Sequence, residues 1–297
     1  MFRFSRRGAI EYLEAEEMSV LGFVTHAFCT RRGGRSTGPF SSLNLGYRAG
    51  DQAEDVGRNR ALVEEAFGIP DGRLILMKQI HGNRICVLDG DGSLPEGLPE
   101  CDGLITDRPD IALGVRTADC VPILFVDRVR RIVGAAHAGW RGTALGIAAA
   151  MVETFANEFS SRREDLLAFI GPAIGPCCYQ VDMPVFEAFS GRHDSGELLR
   201  PCPQQGRWML DLPMANRLQI REAGLPSGNI VTSRLCTACR EDLFFSHRAG
   251  RGRTGRQINL IMLHRQKNTN KKSLDSRERS GVDANRIPER RQRNPSF

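Results

Sequence analysis

The segment 131–159, RIVGAAHAGWRGTALGIAAAMVETFANEF, constrains the fold more than any other part of the chain. An apolar run from Ile132 to Ala136 leads into a glycine-rich turn, and the Ala- and Leu-rich stretch that follows has the spacing of a helix. This order predicts a strand, a tight turn and a helix, with His137 at the end of the strand and Thr143 as the helix N-cap. The start of a helix attracts anions, and Arg141 would add a full positive charge beside it. On its own, the segment also fits a structural connector.

Several other apolar runs of strand length predict an α/β protein. The segment 111–125 contains two such runs separated by Asp119 and Cys120, and its apolar flanks are typical of strands covered on both faces. Further strands are expected at 74–77, 84–88, 166–170, 208–210 and 257–263, and helices at 51–67, 185–189 and 212–224.

The N-terminal part of the chain has weaker patterns. Residues 1–22 predict a strand and a turn, and the Gly-, Ser- and Thr-rich stretch from Val24 to Gly46 predicts a long loop. Arg31 lies near the start of this loop and Asn44 near its end. A basic, glycine-rich loop can surround an anionic group with guanidinium and backbone N–H donors, and a solvated surface loop is the alternative.

The formal net charge of +6 lies entirely at the end of the chain. From Arg265 to Phe297 there are ten Lys/Arg and four Asp/Glu, whereas the other 264 residues hold 31 of each sign. This last stretch has almost no apolar residues, so we predict a catalytic domain over 1–265 and a disordered basic tail over 266–297. Because the basic residues lack interleaved aromatics, we expect no nucleic-acid partner.

The chain also lacks patterns that would direct it to a membrane. The basic N-terminus is not followed by the apolar core of a signal peptide, and no apolar run approaches the roughly 18 residues that span a bilayer. We therefore expect a cytoplasmic protein with no membrane partner, and we favour a monomer. Nine cysteines, an odd number, then indicate reduced thiols, metal ligands or a nucleophile.

One pair of cysteines has the spacing of a metal or redox motif. Cys236 and Cys239 form a CxxC, which could be half of a zinc site or a redox pair. No second CxxC exists, and Cys177 and Cys178 are adjacent rather than spaced. Structural thiols are therefore the favoured interpretation.

Three groups that bind metals, His81, Cys120 and His137, each lie at the end of a predicted strand. Catalytic zinc sites use three such protein ligands and leave a fourth position open. The spacings of 39 and 17 residues favour a site assembled by the fold over a self-contained finger. Imidazole and thiolate also suit copper, and three unrelated core residues would give the same pattern.

A set of motifs resembles the YfiH family, also called the multicopper polyphenol oxidase or laccase-like domain family. The matching segments, spread in order from about residue 20 to residue 263, are TRRGG, SSLNLG, NR, KQIHG, DGLITD, TADCVPILF, AAHAGWRGTALGI, IGPAIGPCCYQV, CTAC, FFSHR and TGR. The resemblance implies a single-domain layered sandwich of mixed sheets flanked by helices. It also implies a zinc site made by His81, Cys120 and His137.

The same resemblance implies an activity. Members of the family are described as purine nucleoside phosphorylases, which split adenosine, inosine, guanosine or methylthioadenosine with phosphate, and they also deaminate adenosine. The older oxidase name suits this chain poorly, because it has six histidines and no His-x-His pair. Cys101, Arg116 and His247 depart from the family's usual residues, and the last two put substrate preference in doubt.

From the residues and the resemblance together we assign expected roles. Zinc would orient phosphate or polarise the leaving purine, and it would activate water for deamination. Phosphate is expected near Arg31 and Arg141, Asn44 and Gln79 are candidate substrate contacts, and Asp119 is a candidate proton carrier whose alternative is a structural cap.

Besides the copper polyphenol oxidase of the older family name, two other functions remain open at this point. Cys120 as nucleophile and His137 as base would make a cysteine hydrolase, which would suit the editing of peptidoglycan precursors that has been linked to bacterial members of the family. A zinc- or RNA-binding module acting through the basic tail is the non-enzymatic alternative.

Overall fold

Two six-stranded mixed sheets face each other in the computed structural model of this protein, and helices cover their outer faces. The structure describes residues 1–88, 94–191 and 195–265. The predicted α/β sandwich of mixed sheets is therefore confirmed, while the predicted disorder of 266–297 lies outside the described residues. No helix in the described part of the chain is long and apolar enough to cross a membrane.

Within the described residues most of the strands are short, and seven α-helices connect or cover them. The strands are β1 (Phe2–Arg7), β2 (Ile10–Ala15), β3 (Val24–Cys29), β4 (Leu74–Leu76), β5 (Ile85–Leu88), β6 (Gly103–Thr106), β7 (Ala112–Thr117), β8 (Val121–Asp127), β9 (Ile132–Ala138), β10 (Leu166–Ile170), β11 (Gln180–Val181), β12 (Leu199–Pro201), β13 (Trp208–Leu210), β14 (Ile230–Thr232) and β15 (Gln257–Leu263). The helices are α1 (Glu16–Ser19), α2 (Ala53–Phe67), α3 (Trp140–Ala144), α4 (Ile147–Phe159), α5 (Met183–Ser190), α6 (Ser195–Leu198) and α7 (Leu212–Glu222).

The order of the strands differs from their order along the chain. The first sheet runs β1-β2-β3-β15-β7-β4 and the second β14-β10-β8-β9-β6-β5, while β11, β13 and β12 form a small third sheet. Three neighbouring pairs, β4/β7, β5/β6 and β10/β14, are parallel, and the other pairs of the two large sheets are antiparallel. The last strand of the described chain, β15, thus pairs with β3 on one side and β7 on the other.

Three apolar cores fill the spaces between these layers. Leu113 of β7 and Leu124 of β8 belong to the core between the two large sheets. Phe125 of β8 points the other way and packs with Phe155 of α4 in the core beneath α4 and α7. A third core lies between the outer face of the first sheet and α2. Because both faces are covered, all seven residues of β8 are buried, as the apolar run from Val121 to Phe125 predicts.

The predicted elements are present except near the N-terminus and at one helix start, and the structure adds short elements that the sequence does not predict, among them β11, α6, β12 and β14. The strands 166–170, 208–210 and 257–263 are present with those bounds. Residues 1–22 form a hairpin and a short helix. β3 occupies the start of the predicted loop, and its buried polar residues Thr25 and His26 interrupt the apolar pattern by which a buried strand is recognised. Thr143 is not an N-cap, because α3 begins after Gly139 and lasts only five residues.

Candidate metal centre and active-site pocket

Three strand ends bring His81, Cys120 and His137 together. Cys120 lies between β7 and β8, His137 is the penultimate residue of β9, and His81 follows β4 in a loop. Since Val121 pairs with Ala138 and Pro122 with His137, the antiparallel register sets Cys120 beside the end of β9. One ligand atom from each of the three side chains lies within 4.8 Å of the others, and the two imidazole rings meet edge to face with centroids 4.8 Å apart.

A buried carboxylate, Asp102, holds both histidines in place. Its Oδ1 lies 2.8 Å from Nδ1 of His137, which leaves Nε2 of that ring as the available donor atom. The same carboxylate accepts hydrogen bonds from the backbone N–H groups of Ile80 at 3.2 Å, His81 at 3.1 Å and Gly82 at 2.7 Å. Asp102 is fully buried, so the loop carrying His81 is tied to β6 from inside the protein.

The absence of a side chain at Gly139 keeps space between the ligand groups. A Cβ at this position would lie 2.7 Å from Nδ1 of His81 and 3.3 Å from Sγ of Cys120. The backbone of Gly139 has φ −74°, which any residue can adopt, so space and not conformation requires the glycine. Two imidazoles and a thiol around a gap kept open in this way fit a divalent metal ion with three protein ligands.

Burial and neighbouring charges both shift the pKa values of these groups. Burial lowers the pKa of His137, but the neighbouring Cys120 and Asp102 outweigh it and raise that pKa to about 9. His81 has an exposed edge, yet desolvation by its surroundings and the nearby His137 lower its pKa. Burial raises the pKa of Asp102, but the hydrogen bonds from His137 and the His81 loop bring it below its ordinary value.

Two residues at the site have left-handed backbones. His81 has φ 58° and Asp119 has φ 89°, values that are uncommon for residues with a side chain. Asp119 is held by hydrogen bonds to both carboxylate oxygens, from the Thr237 hydroxyl at 2.7 Å and the Arg248 N–H at 2.6 Å. This arrangement matches the structural cap that we gave as the alternative for Asp119, because neither oxygen lacks a donor.

A pocket of about 300 Å³ opens directly on His81 and Cys120. Arg141 and Arg248 line it, and Arg141 has no ion-pair partner among the residues that the structure describes. Its guanidinium stacks on Trp140 at 4.4 Å, while that of Arg248 lies 5.3 Å from the ring of Tyr179. The pocket therefore offers two cations and two aromatic rings beside the candidate metal ligands. Its full lining is His81, Ala118, Asp119, Cys120, Gly139, Trp140, Arg141, Ile174, Tyr179, Leu212, His247 and Arg248.

Arg31 is not part of this pocket. Its guanidinium donates to the carbonyls of Ser41 at 2.6 Å, Glu241 at 3.0 Å and Pro39 at 3.4 Å, and it covers the ring of Phe245. Arg31 therefore fixes the backbone of its own loop and joins it to the segment that contains Glu241 and Phe245. The prediction that phosphate binds at Arg31 is not supported by this placement.

Asn44 and Gln79 do not line this pocket either, and both form hydrogen bonds within the protein. Asn44 is fully buried, donates to Asp51 and accepts the backbone N–H groups of Gly46 and Arg256. Gln79 forms two hydrogen bonds with the backbone of Arg116, at 2.8 and 3.0 Å. Neither residue lines this pocket, so Arg141 is the one predicted substrate contact that does.

Sequence reasoning missed Asp102, Tyr179 and Arg248 as site residues. Each lies in a segment that carries the family resemblance, DGLITD, CCYQ or FFSHR, but nothing in those segments indicates a role. What the three residues share is their position in the fold, not a sequence pattern. Arg248, for example, lies 129 positions beyond Asp119 in the sequence, yet its backbone N–H donates to the Asp119 carboxylate. Only the assembled fold places them together.

A mixed α/β sandwich with two histidines and one cysteine gathered at its strand ends defines an enzyme of the laccase-like class. The family described as "Multi-copper polyphenol oxidoreductase laccase" matches residues 25–264. The chain belongs to this family, whose solved members include YfiH proteins.

Relatives with known names cover most of the chain. It is 42% identical over 242 residues to "Purine nucleoside phosphorylase YlmD" of Geobacillus stearothermophilus, covering 78% of this chain and 87% of that protein. It is 36% identical to "Adenosine deaminase RL5" from an unknown prokaryotic organism, covering 75% and 87%. The crystal structure of the hypothetical protein YfiH of Bacillus licheniformis superposes with a TM-score of 0.81 at 39% identity, covering 88% of this chain and 98% of that one.

Proposed function

We propose that this protein is a zinc-dependent purine nucleoside phosphorylase that also deaminates adenosine. The observation that carries the proposal is the three-ligand group opening on a pocket lined by Arg141 and Arg248. The names of the relatives support both activities. Adenosine, inosine, guanosine and methylthioadenosine are the proposed substrates.

His81, Cys120 and His137 would hold the ion. A divalent cation at these residues supplies Lewis acidity next to the substrate. Two imidazoles and one thiolate suit zinc, and copper remains open on ligand type alone. A multicopper centre does not fit, because within the described residues His26 and His264 are engaged elsewhere and no further histidine joins the group.

The charged residues of the pocket would bind and orient the reactants. Arg141 and Arg248 would bind phosphate, so that one of its oxygens faces C1′ of the ribose. That oxygen forms the new bond as the bond from C1′ to the base breaks, and the electron pair leaves with the base. Trp140 and Tyr179 offer aromatic faces for the purine, and Asp102 keeps both histidines oriented. For deamination, water replaces the amino group at C6 and ammonia is released.

The test is a product analysis with and without phosphate. We expect adenosine to give adenine and ribose 1-phosphate when phosphate is present, and inosine with ammonia when it is omitted. Cys120→Ala should abolish both reactions and the zinc of this centre. Full activity in protein from which all metal has been removed would refute the proposal.

A second candidate is a cysteine hydrolase acting on peptidoglycan precursors. It is favoured by one observation: His137 lies against both Cys120 and Asp102, which is the arrangement of a nucleophile, a base and an orienting carboxylate. Such an enzyme should tolerate strong chelators, lose activity on thiol alkylation and consume no phosphate. The phosphorylase should instead lose activity in strong chelators and should consume phosphate.

A further inference from the structure

A second group of potential metal ligands lies outside the catalytic centre. It consists of four cysteines from two loops, and we refer to it as the four-cysteine cluster: Cys177, Cys178, Cys236 and Cys239. The sequence has a single CxxC, formed by Cys236 and Cys239. In the fold it lies next to the adjacent cysteines Cys177 and Cys178. All nine cysteines of the chain are free thiols, so no disulfide accounts for this convergence.

The two loops are joined by backbone contacts that fix the cluster. One loop follows β10 and the other follows β14, which are parallel neighbours. Ala173 and Cys236 form an isolated bridge beyond the ends of these strands, and the Thr237 N–H donates to the Ala173 carbonyl at 3.0 Å. The Gly175 N–H points at Sγ of Cys236 at 3.2 Å, as N–H groups do at thiolate ligands. The pairing of the two strands therefore continues into the cluster.

The distances between the sulfur atoms suit a tetrahedral ion. Sγ of Cys239 lies 3.5 Å from that of Cys177 and 3.3 Å from that of Cys178, and all four sulfurs lie within 4.8 Å of one another. Four sulfurs at about 2.3 Å from a zinc ion form a tetrahedron whose edges are about 3.8 Å. A disulfide would instead need a separation of about 2 Å. Small movements would thus place all four thiolates on one ion.

We infer that the four-cysteine cluster binds a structural Zn²⁺ ion, separate from the catalytic metal. Four protein ligands close the coordination sphere, which is the property of structural zinc sites, whereas the group at Cys120 has three ligands and an open side. Cys177 and Cys239 are exposed and Cys236 is buried, so the ion would lie at the surface with one ligand anchored in the core.

The position of the cluster gives this ion a role in shaping the catalytic pocket. Thr237, inside the CxxC, donates to Asp119, the residue before Cys120. Arg248 donates its backbone N–H to the same carboxylate and its guanidinium to the carbonyl of Cys178 at 3.2 Å. Metal binding would therefore fix the two loops that present Tyr179 and Arg248 to the pocket, without contact between the ion and substrate.

The experiment is a metal count on the full chain, purified with reductant and dialysed against buffer containing zinc. We expect two zinc ions per chain. The double substitution Cys177→Ser with Cys239→Ser should leave one, Cys120→Ala should also leave one, and the matched control Cys202→Ser should leave two. Circular dichroism identifies any variant that fails to fold, and the single substitution Cys239→Ser, at an exposed side chain, then replaces the double one.

Cobalt substitution of the unmodified protein tests the same inference without any mutation. A tetrathiolate site gives much stronger sulfur-to-cobalt absorption than a site with a single thiolate, so the second equivalent of Co²⁺ should be spectrally distinct from the first. One ion per chain, lost in Cys120→Ala and retained in the folded double variant, would overturn the inference. Because the count does not depend on catalysis, two bound ions without phosphorolysis would refute the proposed function alone.

Discussion

At the scale of single residues, the candidate metal centre depends on residues that are not themselves candidate ligands. Asp102 orients His137 and holds the His81 loop through four hydrogen bonds, and Gly139 leaves room for the ligands. The sequence predicts the three ligands because each ends a strand. It does not predict Asp102, since that role appears only when β6 pairs with β9.

Gly139→Ala should lower the metal affinity of the catalytic centre by about tenfold or more, because the new methyl group would displace His81 and Cys120. The affinity can be measured by competition with a chromophoric chelator. Gly191→Ala is the matched control, since its Cβ would meet nothing within 4 Å and its φ is −78°. Unchanged affinity in Gly139→Ala would contradict the described geometry.

Asp102→Asn should reduce metal affinity by about 10- to 100-fold, the usual effect of losing a carboxylate that orients a ligand histidine. The substituted amide keeps the shape but removes the charge and an acceptor from the backbone N–H groups around it. Asp107→Asn, at an exposed position directly after β6, serves as the control. Equal affinities in the two variants would remove Asp102 from the centre.

Buried His26 should make stability depend on pH below neutrality. Its ring is 4% exposed and accepts the Ala15 N–H at 2.8 Å, and burial lowers its pKa from 6.5 to about 4, with Arg7 adding to this and Glu14 opposing it. Between pH 6.5 and 4, His26 binds a proton in the unfolded chain but remains neutral in the folded protein. The free energy of unfolding should therefore fall by roughly 3 kcal/mol as pH decreases across this window.

Urea unfolding at pH 7 and pH 4.5 measures this effect. His26→Gln removes the titrating group and keeps an acceptor, so its stability should fall less than that of the unmodified protein over the same interval. His247→Gln, at an exposed histidine, should behave like the unmodified protein. A loss of stability as large in His26→Gln as in the unmodified protein would contradict the prediction.

At the scale of elements, the strand, turn and helix of 131–159 is correct, but the helix is broken. Gly146 adopts φ 83° and separates α3 from α4, so Thr143 lies within a short helix instead of beginning a long one. The tertiary reason is α7, where Asn216 donates to the Thr143 hydroxyl at 3.0 Å and Gln219 to its carbonyl at 2.6 Å. Local sequence could not predict that contact across more than 70 positions.

Thr143→Val should lower the free energy of unfolding by about 1–3 kcal/mol, because it leaves one N–H of the buried Asn216 amide without an acceptor while preserving volume. Thr154→Val is the control: its hydroxyl donates to the Ala150 carbonyl within α4 and is half-buried, so a change of about 0.5 kcal/mol or less is expected. Chemical denaturation of both variants gives the comparison.

At the scale of the whole molecule, the sequence predicts the layers but not their order. Continuous apolar runs such as β8 indicate strands covered on both faces, and this holds in the structure. The exposed, basic β1 gives no such pattern, and the location of β15 between β3 and β7 depends on pairing between distant segments. Periodicity reports which face is buried, whereas it carries no information about which strand is the neighbour.

Deletion of residues 266–297 should leave the thermal midpoint, the metal content and the activity unchanged, because the contacts described above lie within 1–265. Deletion from 257 onward should prevent folding, since it removes β15 and its ladders to β3 and β7. Thermal unfolding followed by circular dichroism separates these cases. The tail-deleted protein also tests the non-enzymatic alternative, because unchanged binding of RNA would exclude a role for the basic residues there.

The central place of β15 has a consequence for biosynthesis. Until the ribosome has translated almost the entire domain, β3 and β7 each have an unpaired edge, because β15, the strand that pairs with both, has not yet been made. A nascent chain must therefore keep these two edges apart from other polypeptides for most of its synthesis, and it closes the sheet only as translation ends. Premature termination anywhere before this strand would release an incomplete, aggregation-prone sheet, which we expect chaperones to bind and proteases to degrade.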